Sequence, residues 1–155
     1  MKMSMPMPTH NNPYKKLLIM AVLSFISMYV LMYAMVNTFS NVIPNINQFY
    51  MAALMTLPMM IIELLLMGSM YMNKRLNAVI IAISSVLLIG FYLLIRQQSF
   101  VSDRQFLRSM IPHHASAILM CEKTVLLDPE NIALCEAIVS GQQVEIDLMK
   151  AKLGE

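Results

Sequence analysis

Charge is what this chain has least of. Only 13% of its residues are Asp, Glu, Lys or Arg, against roughly 25% in ordinary soluble domains. With 58% hydrophobic residues and a mean hydropathy of +0.63, a membrane protein is the first reading. The net charge is only +2 and no basic run resembles a nucleic-acid-binding arm, so no nucleic acid partner is expected. Tryptophan is absent. Also missing are a Gly-rich phosphate loop, a zinc-type Cys-x-x-Cys, a His-Glu-x-x-His helix and any nucleophile motif. No enzyme is expected.

What the chain has in excess is methionine, 18 residues of 155. Methionine fills irregular apolar packing. Its thioether is also a soft ligand that selects Cu(I) over hard ions. Composition does not separate the two roles, and packing is the default for methionines inside membrane helices.

Residues 1–16 are polar and proline-bearing and read as a flexible cytoplasmic tail, with Met3, Met5 and Met7 alternating before His10. Residues 17–96 hold three apolar runs, 17–36, 49–72 and 78–95, each long enough to cross a bilayer core. The lipid bilayer is therefore the first partner. Met28, Met32 and Met35 share one face of the first span, and Met51, Met55 and Met59 share one face of the second. These stripes read first as packing, with soft-metal stepping stones as the alternative. Glu63 is an ionisable group at membrane depth. It is either functional or a protonated acid hydrogen-bonded within the bundle.

Lys15 and Lys16 precede the first span, Lys74 and Arg75 lie between the second and third, and the first loop has no Lys or Arg. The positive-inside rule then makes the amino terminus cytoplasmic and places everything after Arg96 on the far side. Arg96, Arg104 and Arg108 count somewhat against this.

Residues 103–153 read as an amphipathic antiparallel helical hairpin. Ser102 or Asp103 caps its first helix; Asp128 caps the second, with Pro129 at the first helical position. Centring the turn near residue 128 sets Cys121 opposite Cys135 and His114 opposite Gln142. Met110, His113, His114, Gln142, Glu145 and Met149 then gather toward the membrane end, His114 pointing inward and His113 at the rim. Pro112 sits inside the first helix just before the histidines, where it removes one backbone hydrogen bond and favours a kink. For the cysteines three readings stand: a disulfide, which an oxidising compartment favours, two further soft ligands, or inert buried thiols.

The elements M-I-P-H-H at 110–114 and Q-x-E-I-x-x-M at 143–149, with D-P-E between them, resemble the family catalogued as domain of unknown function 305. The likeness covers Asp103 to Leu153, and the preceding spans resemble a membrane-anchored bacterial branch of that family. The resemblance implies copper binding and tolerance, as in some exported relatives that use Met and His in a helical bundle. It carries over Met110, His113, His114, Glu145 and Met149 as metal ligands; the residues themselves add Gln142, Met120, Cys121 and Cys135 as further, weaker candidates. It departs at Cys121 and Cys135, where small or polar residues are commoner in the family.

The expected architecture is thus all-α: three spans and an exported hairpin that completes a four-helix bundle by dimerisation. The expected function is a membrane-anchored binder of copper, Cu(I) first and silver second, acting in tolerance or in hand-off to a transporter or chaperone. The expected place is a bacterial inner membrane, with the hairpin periplasmic or extracellular. The alternative is an assembly protein whose hairpin oligomerises without metal. Transport through the spans, using Glu63 and the methionine stripes, is a third and weaker reading.

Overall fold

The computed structural model describes residues 12–154, and no strand occurs among them. The alternating methionines and His10 of the tail lie outside the described residues. Five helices follow one another: α1 (Pro13–Leu31, extended by a 3-10 turn, Met32–Met35), α2 (Ile46–Leu66), α3 (Lys74–Arg96), α4 (Asp103–Lys123) and α5 (Pro129–Leu153). The first three are long and apolar enough to cross a membrane, which points to membrane association.

Side-chain caps set most of the helix starts. Asn12, Asn45, Asn73, Ser102 and Asp128 each accept a backbone N–H of the first turn through their side chains. Pro13 and Pro129 follow their caps directly, where the missing N–H costs nothing. The polar tail expected through residue 16 is corrected here: helix α1 begins at Pro13, because Asn12 and Pro13 form a start signal ahead of the apolar run. A second correction concerns the second span. It was expected to reach Met72 but ends at Leu66, and the chain turns through Gly68–Met70.

Helix α2 is central. It buries six residues where α1 and α3 bury two each, and small Ala52 and Ala53 let its neighbours approach. At one end of the three helices the Tyr14 hydroxyl donates to Asn77 Oδ1 (2.8 Å) and accepts from the Asn73 N–H (3.1 Å). Lys15, Lys16, Lys74 and Arg75 sit at this end. The hairpin sits at the other.

Helices α4 and α5 pack antiparallel around Ile111, Ala115, Ile118 and Ile146, each at most 1% exposed. At roughly 25 cal/mol per Å², burying one isoleucine contributes about 1.5–3 kcal/mol. Cys121 and Cys135 are joined by a disulfide at the turn end, with Cα atoms 5.3 Å apart.

The loop between α1 and α2 is part of the hairpin's core. Ile43, 6% exposed, belongs to the same buried cluster as Ile111, Ile118, Ile146 and Met149, and Val36 packs against it. An apolar stripe that two helices alone cover poorly thus gains a lid from the membrane anchor. Polar contacts fix this docking. The Ile46 N–H donates to Gln105 Oε1 (3.1 Å), Asn47 Nδ2 to Gln98 Oε1 (3.0 Å) and Ser109 Oγ (3.2 Å), and the Tyr50 hydroxyl to the Ser99 carbonyl (3.1 Å). Between α3 and α4, Gln98 and Phe100 take positive φ values of 50° and 61°. Such strain in non-glycine residues costs about 1–3 kcal/mol each and persists where the surroundings over-determine it; the bonds to Gln98 and Ser99 are those surroundings.

Candidate metal centre

Two i, i+4 pairs build the inward site. Met110 and His114 share a face of α4; Glu145 and Met149 share a face of α5. His114 Nδ1 lies 3.0 Å from Glu145 Oε2. The approach is close but poorly aligned, and Nδ1 has no well-formed hydrogen bond. One turn toward the membrane end, Met149 is 7% exposed in the core cluster and Met110 packs against that cluster.

The sequence register set His114 opposite Gln142; the structure sets it against Glu145, one turn along. Helical side chains lean toward their own N-terminus. In an antiparallel pair, His114 and Glu145 therefore lean toward one another. Gln142 remains nearby in sequence with its Oε1 buried and unpartnered.

The imidazole of His114 is only 12% exposed. Burial pushes its pKa below the usual histidine value; Glu145 opposes that shift and His113 adds to it. The neutral form, the one that binds metals, is thus favoured at neutral pH.

His113 does not join this group. Adjacent helical residues diverge by about 100°, and the rings of His113 and His114 stand 6.1 Å apart. His113 is exposed and faces the membrane anchor, on a cleft it shares with Met110. Met120 lies on the outer surface, 56% exposed. Cys121 and Cys135, tied as a disulfide, offer no thiolate. Among the described residues no three of His, Cys, Asp and Glu converge. Glu63 accepts from the Tyr71 hydroxyl (3.2 Å) near the end of α2 that lies beside the basic residues of α1 and α3, far from the hairpin.

The sequence reading did not find the outer face of α5. Leu134, Val144 and Leu148 are 55–66% exposed there, with Ala137, Gly141 and Ala151 exposed among them. The seven-residue spacings Leu134–Gly141–Leu148 and Ala137–Val144–Ala151 were the available signal.

Fold and site together define an all-helical protein in which three membrane-type helices carry a disulfide-tied helical hairpin. The chain belongs to the family described as Domain of unknown function (DUF305), whose model matches residues 94–153. It is 34% identical over 142 residues to the uncharacterized protein L153 of Acanthamoeba polyphaga mimivirus, covering 90% of this chain and 91% of that one. That likeness takes in the spans as well as the hairpin. No solved structure matches the chain.

Proposed function

We propose that this protein is a membrane-anchored binder of a soft metal ion, Cu(I) first and Ag(I) second, acting in metal tolerance or hand-off. The observation that carries the reading is the paired register of α4 and α5. It brings a partly buried imidazole favoured in its neutral form against Glu145 and sets two thioethers one turn away against the same core. The donor set fits a soft ion: thioether and imidazole suit Cu(I), and a single carboxylate is too few for a hard one. Gln142, one turn before Glu145 on α5, has a buried Oε1 without a partner. In this arrangement His114, Met110 and Met149 hold the ion. Glu145 lies beside Nδ1 and orients the ring, leaving Nε2 to donate, as carboxylates commonly do for metal-binding histidines.

The positive-inside pattern supports a cytoplasmic amino terminus and a hairpin on the far side, periplasmic in a bacterial inner membrane or extracellular. A disulfide there agrees with an oxidising compartment. A transporter or chaperone is the partner such a protein would pass its ion to.

The test is Cu(I) titration of the full chain in detergent against a competing chelator. His114→Ala and Met149→Leu should each weaken binding by at least about tenfold, the loss of one good ligand. Two unchanged titrations would remove the site.

A second reading rests on the exposed stripe of α5. Leu134, Val144 and Leu148 offer an apolar heptad face on which a second copy would form a four-helix bundle. On that reading the hairpin is an assembly module, and its oligomer survives metal removal. Val144→Lys with Leu148→Lys should then yield monomers by light scattering.

A further inference from the structure

A second group of soft donors lies where the hairpin meets the membrane anchor. A cleft of about 320 Å³ opens there. Met32 comes to it from the 3-10 turn after α1, Met51 from the start of α2, and Met110 and His113 from α4. Three thioethers and one imidazole on three separate segments thus line one space. We propose that this cleft is a junction site for a soft monovalent cation of the Cu(I) or Ag(I) class, held by Met32, Met51, Met110 and His113.

The lining argues for that chemistry. It contains no Asp, Glu, Lys or Arg, so it offers neither the carboxylates a hard divalent ion requires nor the cations an anion requires. Thioether and imidazole are neutral donors matched to a soft, singly charged ion. An independent feature concerns Asn47, which lines the same cleft. Its amide nitrogen is committed to Gln98 and Ser109, and its Oδ1 is buried with no hydrogen-bond partner. A buried carbonyl without a partner has lost its hydration for nothing in return, and a cation in the cleft would relieve it.

The placement also gives the methionine stripes different roles. Met51 leads its stripe into the cleft, and Met32 does so from the first span. Met110 borders both this cleft and the hairpin core that holds Met149. It therefore joins the junction site to the inward site and provides a soft ligand common to both. An ion at the junction would tie the hairpin to the anchor through bonds from each.

This inference rests on the soft-metal reading of the protein, and the experiment separates the two. The full chain, labelled at the methionine methyl carbons and held in detergent, is titrated with Ag(I), a diamagnetic stand-in for Cu(I), and followed by NMR. The expected result is that the Met32, Met51 and Met110 methyl signals move together with the His113 ring. The double variant Met32→Leu, Met51→Leu keeps size and apolarity. It should lose one equivalent of Ag(I) or bind it at least about tenfold more weakly, while the Met149 shift remains. If Met110 and Met149 respond but Met32 and Met51 stay still, and the double variant binds as the natural chain does, the junction site is overturned and the hairpin site stands. If no methionine responds, both readings fall.

Discussion

Opening the bond between Cys121 and Cys135 tests how the hairpin is held. The two residues are 14 apart in sequence. Closing a loop of about 15 residues removes about 10 cal/mol/K of chain entropy from the unfolded state, or about 3 kcal/mol at 25 °C. That is roughly a hundredfold in the ratio of closed to open hairpin. The bond lies at the turn end, away from the contacts among Ile43, Gln105 and Ser109 that hold the other end. Its loss should therefore act first on the distal half. The assay is native-state amide exchange of the full chain in detergent, comparing the natural protein with the Cys121→Ser, Cys135→Ser double variant. Protection around Ile118 and Val139 should fall by roughly a hundredfold, while that of α2 stays unchanged. Protection preserved to within about threefold would refute the reasoning, because the helices would then be closed without the crosslink.

Further outcomes follow from the same contacts. Because burial lowers the pKa of His114, the unfolded chain takes up that proton first as pH falls. The metal-free hairpin should keep its full stability above about pH 6.5 and lose it progressively below, levelling off beneath the folded pKa. His114→Gln should flatten that dependence, as followed by chemical denaturation at a series of pH values. Ile146→Ala should destabilise the hairpin by about 2–5 kcal/mol, since Ile146 is 0% exposed between the helices and Ile43; a loss under about 1 kcal/mol would mean the site collapses freely. Tyr50→Phe removes one bond to the Ser99 carbonyl and should cost about 0.5–1.5 kcal/mol. Its signature should be faster exchange across Gln97–Ser102, with no change near Cys121.

Much of the architecture follows from local pattern. Three apolar runs of span length, capping side chains before each helix of the hairpin, and the Asp128–Pro129 start of α5 are read from neighbouring residues alone, because helix nucleation and membrane partition are local properties. Even the approach of Cys121 to Cys135 follows from a short turn between antiparallel helices. The choice between a disulfide and free thiols does not, since it needs both Cα atoms placed within bonding range.

Tertiary structure decided the rest. The spacing sets His114 inward and His113 at the rim, but it does not say that His114 meets Glu145 in place of Gln142 or that His113 turns to the anchor. That split follows from the angle between adjacent helical residues and from where α2 happens to stand. Likewise Ile43 and Asn47 read as members of an uncharged loop and a span start. They become a core residue and a clamp only once α4 folds back on them, as in the bond from Asn47 to Ser109, 62 residues later in the chain. Sequence fixes which faces are apolar and which donors are soft. Contacts between distant segments decide which of those faces and donors meet, because they depend on loop closure and on packing that no local pattern records.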